Sequence, residues 1–130
     1  MTTDLWMLVF SAVFCLMIPY FGIVALMTMP GGPAWGFGNR DSAFEVPGWM
    51  ERTRRAHANT VENLVPFACL VLAAHLGGKA DATTALGAQI FFVARVAYVG
   101  VYMVGIPYVR TAVFGVAMLG DILILTRILG

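Results

Sequence analysis

The sequence has few charged residues. Asp, Glu, Lys and Arg make up 12% of its 130 residues, about half the share in an ordinary soluble domain. By contrast, 60% of the residues are hydrophobic. No large basic excess accompanies this composition, since the net charge is +1, so nothing favours nucleic-acid binding. We therefore predict an integral membrane protein with a single domain over residues 1–130.

Cysteine is also scarce. The only two, Cys15 and Cys69, both lie inside apolar runs, so we predict two buried free thiols and no disulfide. His75 has no neighbouring His, Cys or carboxylate in a ligand pattern, so we predict no metal site.

Four apolar stretches are long enough to cross a bilayer, which takes about 20 helical residues. They predict helices at about residues 5–29, 49–76, 82–104 and 108–129. The first has no basic amino-terminal region and no clear cleavage site, so we interpret it as a retained helix. Asp81 is predicted to cap the third helix. Because the second and third connections are short, the predicted fold is all-α, an up-down-up-down four-helix bundle.

Most basic residues lie in or beside the first and third connections, and few lie on the opposite side. The first group is Arg40, Arg52, Arg54, Arg55 and Arg110, and the second is Lys79 and Arg127. Basic residues favour the cytoplasmic side of a membrane. We therefore predict that the first and third connections are cytoplasmic and that both termini face the periplasm or a lumen.

Polar residues at the start of the second helix give the strongest indication of function. Helical spacing places Arg55, Asn59 and Glu62 on one face, and Arg54 and His57 flank them. Farther along the chain, Arg95, Tyr98 and Tyr102 share a face of the third helix, and Arg110 opens the fourth. Each charge costs about 2.5–3.5 kcal/mol at the centre of a membrane helix, so these residues need partners or a polar ligand.

We expect the cations of these helices to face one common pocket. Glu62 alone cannot neutralise them, so the pocket would take an anion, either a lipid headgroup or a soluble polyanion. Structural roles remain open beside this expectation. Arg95 and Glu62 would form a buried ion pair, Asn59 and Asn63 would bond between helices, and Arg52 and Arg54 would anchor headgroups. Deeper in the bundle, we predict a hydrogen bond between Gln89 and Asp121.

These residues resemble a known family. Residues Glu51 to Phe67 read E-R-x-R-R-A-H-x-N-x-x-E-N-x-x-P-F, which resembles the signature of the membrane-associated proteins in eicosanoid and glutathione metabolism, the MAPEG family. Residues 94–98, followed by Tyr102, look like the family's A-R-x-x-H/Y-x-x-x-Y. Arg110 matches a family arginine after a deletion of one residue. Length and four-helix layout extend the resemblance over the whole chain.

The resemblance implies a homotrimer that binds glutathione, or a related thiol, between neighbouring subunits. It implies that the carboxylates and amine of glutathione are held by Arg54, Arg55, His57, Asn59 and Glu62. Arg95 and Tyr102 would contact the same molecule from the third helix. Arg110 would lie beside the sulfur, where a guanidinium favours the thiolate, and Tyr102 would share this catalytic role. No metal is implied, and a hydrophobic substrate would arrive from the bilayer.

The expected function is a glutathione-dependent transferase or peroxidase acting on lipophilic electrophiles or lipid hydroperoxides, with an isomerase not distinguished. The alternative is a non-catalytic membrane trimer whose basic interface binds anionic lipid or a partner protein. The first helix favours this alternative because it lacks the basic residue with which mammalian members contact glutathione. Arg40 in the following loop is the candidate replacement. The likeness to bacterial-type members implies a bacterial inner membrane.

Overall fold

The computed structural model describes all residues from Met1 to Gly130. It contains five α-helices: α1 (Thr3–Thr28), α2 (Gly32–Phe37), α3 (Gly48–Leu76), α4 (Ala82–Val104) and α5 (Pro107–Leu129). All except α2 are long and apolar enough to cross a membrane. The chain is therefore a multi-pass integral membrane protein, and the predicted all-α bundle of four spans is confirmed.

Both ends of α4 are fixed by local chemistry. Asp81 Oδ1 accepts hydrogen bonds from the backbone N–H groups of Thr83 (2.8 Å) and Thr84 (3.1 Å). In return, Thr84 Oγ1 accepts from the Asp81 N–H at 2.9 Å, which completes a capping box and confirms the predicted cap. At the other end, Gly105 adopts φ +91°, a left-handed conformation that favours glycine. Pro107 then opens α5, where its missing N–H leaves no bond unmade.

The first connection is more ordered than its composition predicts. Its composition predicts an irregular loop, but the connection contains the short helix α2. Trp35 of α2 stacks on Phe44 with ring centroids 5.4 Å apart, and Trp35 Nε1 donates to the Ser42 carbonyl oxygen at 2.6 Å. The Arg40 guanidinium lies 5.3 Å from the Trp35 ring. The connection therefore folds back on itself beside the bundle.

The core joins α3, α4 and α5. Phe67 and Phe91 are buried and stack at 3.9 Å between ring centroids. One turn before Phe91, α4 approaches α5 closely at Gly87 and Gly120. A Cβ on Gly87 would lie 2.6 Å from the Gly120 carbonyl oxygen, and a Cβ on Gly120 would lie 2.5 Å from the Gly87 carbonyl oxygen. Small residues allow this close approach of membrane helices.

Polarity is distributed as expected of a membrane protein. Large apolar side chains such as Leu16 and Val24 are 70% and 64% exposed on α1. Seven polar or charged residues are instead buried: Asp4, Ser11, Thr53, Thr60, Thr84, Arg95 and Asp121. Cys15 is buried as predicted, but the prediction for Cys69 is wrong in the single chain, since Cys69 is exposed on α3. Lipid or another subunit must cover the apolar surface.

Candidate functional site

Arg95 lies at the centre of the polar interior and is only 1% exposed. Its Nη2 donates hydrogen bonds to Asn59 Oδ1 and Thr60 Oγ1 of α3, both at 3.0 Å. Its Cζ lies 4.4 Å from the centre of the Tyr98 ring, within the range of a cation–π contact. Arg95 therefore ties α4 to α3 at the depth of the predicted polar stripe.

Within the single chain, the contacts distinguish between the structural roles predicted for Asn59, Asn63 and the Arg95–Glu62 pair. The Asn59 bond to Arg95 confirms an interhelical role for Asn59. Asn63 instead donates to the Asn59 carbonyl oxygen of its own helix at 2.7 Å, so its interhelical role is wrong. The Arg95–Glu62 ion pair is also wrong, because Glu62 is exposed and forms no salt bridge.

One cleft, which we call the arginine–tyrosine cleft, opens where α3 begins and α4 turns into α5. It has a volume of about 180 Å³. Arg110 places its Cζ 4.5 Å from the Tyr102 ring centre, and Tyr102 meets Tyr98 edge-to-face at 5.5 Å. The cleft is lined by Arg52, Arg55, Tyr102, Gly105, Ile106, Pro107 and Arg110. This lining has three guanidinium groups and no carboxylate, so it suits an anion.

Arg52 has a structural task in this cleft. Its Nε donates to the Met103 carbonyl oxygen at 2.9 Å and so satisfies a backbone group at the end of α4. A Cβ at Gly105 would lie 3.2 Å from the same Nε, so Gly105 also leaves room for Arg52. Arg52 therefore has a structural role in addition to the predicted role of headgroup anchor, which stays a prediction. No local sequence signal links Arg52 to a carbonyl 51 residues away.

A second cleft, the α1–α3 cleft, lies between α1, the first connection and the start of α3. It measures about 230 Å³. Pro19, Ile23 and Leu26 form an apolar wall, and Arg54 and His57 line the opposite side. Arg40 also lines this cleft, and its guanidinium donates to the Gly36 carbonyl oxygen at 3.0 and 3.3 Å.

The predicted site residues therefore do not share one pocket within a subunit. Arg55, Tyr102 and Arg110 line the arginine–tyrosine cleft, whereas Arg54 and His57 line the α1–α3 cleft. Asn59 and Arg95 lie between helices, and Glu62 is exposed. The physical reason is that consecutive helical residues point about 100° apart, so Arg54 and Arg55 face different sides of α3. Both clefts nevertheless lie at the same end of the bundle, because the Arg52–Met103 bond joins the start of α3 to the end of α4.

This end of the bundle carries uncompensated positive charge. Arg54 pairs with Glu51 at 3.1 Å, but Arg40, Arg52, Arg55 and Arg110 form no salt bridge. The other salt bridge joins Arg127 to Asp81 at 2.6 Å, at the opposite end. There, the Thr84 N–H, helped by the Thr83 N–H and Arg127, holds the pKa of Asp81 below its usual value.

The deeper polar pair predicted between Gln89 and Asp121 is not formed. Gln89 is exposed and lines an outer groove of α4, whereas Asp121 is buried and its Oδ1 makes no hydrogen bond within the protein. The prediction paired the two residues by their depth along the helices, but Gln89 lies on an exposed face of α4 and Asp121 on a buried face of α5. Depth follows from position along a helix, but the face toward a neighbouring helix depends on packing.

A four-span bundle that carries this polar segment on its second span is a fold and motif shared with the MAPEG family. The MAPEG family model matches residues 4–130, so the chain belongs to this family, as the resemblance implied. Three curated relatives are each a microsomal glutathione S-transferase 1. The Bos taurus and Rattus norvegicus proteins are each 35% identical over 75 residues, which cover 55% of this chain and 48% of the relative. The Homo sapiens protein is 36% identical over 58 residues, or 45% of this chain and 37% of the relative. The chain thus spans about half the length of these relatives or less. No solved structure matches the chain significantly.

Proposed function

We propose that the protein is a glutathione-dependent transferase or peroxidase that acts on lipophilic electrophiles or lipid hydroperoxides in the membrane. The arginine–tyrosine cleft carries this proposal, because three guanidinium groups and a tyrosine line it without any carboxylate. Glutathione has two carboxylates and an ionisable thiol, which suit such a lining. The names of the curated relatives, microsomal glutathione S-transferase 1, support the same chemistry.

Three residues of the cleft have roles that their positions support. Arg55 is free of salt bridges and can grip a carboxylate through two parallel hydrogen bonds. Arg110 and Tyr102, held together by their 4.5 Å cation–π contact, present a cation and a hydroxyl to the sulfur. A nearby guanidinium lowers the pKa of a thiol from about 8.5 and so raises the fraction of reactive thiolate at neutral pH.

Arg95 acts on the ligand indirectly in this proposal. It is buried and its Nη2 is committed to Asn59 and Thr60, so it orients Asn59 instead of gripping glutathione itself. Asn59 then offers its amide to the ligand from the same face of α3 as Arg55. This assignment moves Arg95 from direct contact, as the resemblance implied, to a supporting role.

The homotrimer belongs to the same proposal. Glu62 lies near the middle of α3, exposed and without a salt bridge in the single chain. An unpaired carboxylate at such a depth costs about 2.5–3.5 kcal/mol, so a neighbouring subunit is expected to cover it. Between subunits, Glu62 would receive the ammonium group of glutathione, and Arg54 and His57 of a neighbour would complete the site.

The chemical step needs only the thiolate and the second substrate. In conjugation, the sulfur lone pair forms a bond to an electrophilic carbon, and the leaving group departs with its electron pair. In peroxide reduction, the thiolate attacks the O–O bond and gives a sulfenic acid and an alcohol after protonation. A second glutathione then forms the disulfide and releases water. The exposed apolar surfaces of α1 and α5 provide routes for a lipophilic substrate from the bilayer.

Binding and ionisation of glutathione test the proposal directly. Purified protein in detergent is titrated with glutathione while the ultraviolet absorbance of the thiolate is followed, and native mass spectrometry gives the subunit count. We expect saturable binding, a thiolate signal below the pKa of free glutathione, and a trimer. If glutathione neither binds saturably nor ionises, the catalytic proposal is wrong.

The α1–α3 cleft favours the second candidate function, a non-catalytic trimer that binds anionic lipid or a partner protein. Its apolar wall at Pro19, Ile23 and Leu26 suits an acyl chain. Arg40 and His57 line the same cleft and suit a phosphate, whereas Arg54 is already paired with Glu51. Native mass spectrometry separates the two candidates. Phospholipid that stays bound and is not displaced by glutathione would favour the lipid binder.

Orientation is also proposed from charge. Both clefts lie at the end that holds the first and third connections, and this end carries most of the arginines. By the positive-inside rule, we propose that both clefts lie on the cytoplasmic side. The likeness to bacterial-type members implies a bacterial inner membrane. Reporter fusions to the carboxyl terminus test this orientation, and a carboxyl terminus on the cytoplasmic side would contradict it.

A further inference from the structure

Arg95 has hydrogen-bonding capacity that the protein leaves unused. Only its Nη2 has partners, Asn59 and Thr60, while Nε and Nη1 are buried without an acceptor. Neither partner carries a negative charge. A guanidinium in the hydrocarbon region of a membrane requires compensation, so a counter-ion should lie close by.

Asp121 of α5 is the carboxylate placed to compensate it. Asp121 is 7% exposed, and its buried Oδ1 has no hydrogen-bond donor. Asp121 lies within electrostatic range of Arg95. No direct salt bridge joins the two. Polar groups beyond direct contact are commonly bridged by water.

Helix packing places the two charges on neighbouring helices at similar depth. A Cβ at Gly120 would lie 2.9 Å from the Phe91 backbone nitrogen, so Asp121 lies beside the turn of α4 that precedes Arg95. The Arg95 guanidinium itself lies beside Asn59, Thr60 and Tyr98, with its buried Nε and Nη1 still without an acceptor. Asp121 and Arg95 are therefore about one helical turn apart in depth, each with unpartnered buried atoms.

The first helix closes the same region. Ser11 is 3% exposed, and its Oγ is buried without a hydrogen-bond partner. Cys15, one turn farther along α1, is also buried and lies within range of the Arg95 charge. Asn59 and Thr60 of α3 thus contact Arg95, and Cys15 of α1 and Asp121 of α5 lie within range of its charge.

We propose that Asp121 is the intramembrane counter-ion of Arg95 and a positioning residue of the candidate site. The pair holds Arg95 against Tyr98, which meets Tyr102 edge-to-face at 5.5 Å, and Tyr102 in turn lies under Arg110 at 4.5 Å. The effect on catalysis rests on the proposed function. The ion pair itself does not.

Infrared spectroscopy tests the ion pair in the wild-type protein. The chain contains four aspartates, so labelling aspartate with ¹³C at the side-chain carboxyl gives four shifted groups. The difference spectrum between labelled wild type and labelled Asp121→Asn should show the loss of one ionised carboxylate band at neutral pH. Loss of a protonated C=O band would instead mean that Asp121 is neutral, and the proposal would be overturned.

A double-mutant cycle tests the coupling, with thermal unfolding in detergent as the measurement. We expect Asp121→Leu and Arg95→Met each to lower the melting temperature, and the double variant to melt higher than the sum of the two losses predicts. Asp4→Leu, which removes another buried carboxylate, is the matched control and should add to Arg95→Met without coupling. Additive losses for the Asp121 pair would overturn the ion pair.

Charge and shape are separated by conservative variants. Asp121→Glu keeps the charge and should retain both the melting temperature and the Arg95 coupling better than Asp121→Asn, which keeps the size. The reverse order would assign Asp121 a packing role and overturn the proposal. None of these measurements uses a thiol, so failure of glutathione binding leaves them interpretable.

Discussion

Replacement of Arg110 by alanine removes one of the two guanidinium groups in the arginine–tyrosine cleft that are not committed to the fold. Arg52 keeps its charge, but its bond to the Met103 carbonyl oxygen holds it in place, so Arg55 and Arg110 are the guanidinium groups free to turn toward a ligand. Two unit charges about 4 Å apart interact by about 1 kcal/mol in bulk water and about 4 kcal/mol near a protein surface. One pKa unit corresponds to about 1.36 kcal/mol. We therefore expect Arg110→Ala to raise the pKa of bound glutathione by about 1–3 units.

The assay is the pH dependence of thiolate absorbance at saturating glutathione. Arg110→Lys keeps the charge but loses the planar guanidinium, so its midpoint should lie between those of wild type and Arg110→Ala. Arg127→Ala is the matched control, since it removes the same charge at the opposite end of the bundle and should leave the midpoint in place. An unchanged midpoint in Arg110→Ala, with binding intact, would refute the role of Arg110 at the sulfur.

Three further predictions concern the fold. Gly120→Val places a side chain where Cβ alone would meet the Gly87 carbonyl oxygen at 2.5 Å. This overpacking should lower the free energy of unfolding by about 1–3 kcal/mol or more. Gly115→Val is the control, because a Cβ there has no atom within 4 Å, and it should unfold like wild type. Phe91→Ala breaks a buried stack and should cost about 3–5 kcal/mol in the same denaturation assay. Because the folded pKa of Asp81 is lowered, its stabilising contribution is complete above the unfolded value of 3.8 and declines as the pH falls through the folded pKa. The gap in melting temperature between wild type and Asp81→Asn should therefore narrow only in acid, and a gap that widens there would contradict the capping role.

Most of the fold was predictable because membrane spans leave a strong signal. Continuous apolar runs predicted four helices with boundaries close to those observed, and Asp81 marked the start of α4. The short helix α2 was missed because it is six residues long and contains two glycines and a proline. Its order comes from the contact between Trp35 and Phe44, which lie in different parts of the connection. Such a contact is tertiary and leaves no periodic pattern.

For the candidate site, the sequence indicated residues that line the two clefts or lie near them, but it did not indicate which cleft each residue lines. Helical spacing correctly grouped Arg55 with Asn59 near one side of α3, and it placed Tyr98 and Tyr102 in contact. It did not reveal that Arg54 belongs to a different cleft from Arg55. The tasks of Arg52 at the end of α4 and of Asp121 beside Arg95 also depend on which helices become neighbours. Packing between helices decides these partners, and spacing along one helix does not contain that information.

The division of charge within one chain is the physical argument for the proposed assembly of the site from several subunits. Arg55 and Arg110 line one cleft, and Arg54 and His57 line another. Glu62 is exposed on the surface of α3, where lipid or a neighbouring subunit would contact it. A ligand with two carboxylates and one ammonium has complementary charges for all of these groups, but a single subunit does not bring them to one cavity. If a second subunit covers α3, Glu62 leaves the lipid and cations from both clefts can reach the same ligand. Loss of the trimer should then abolish glutathione binding even when each subunit stays folded.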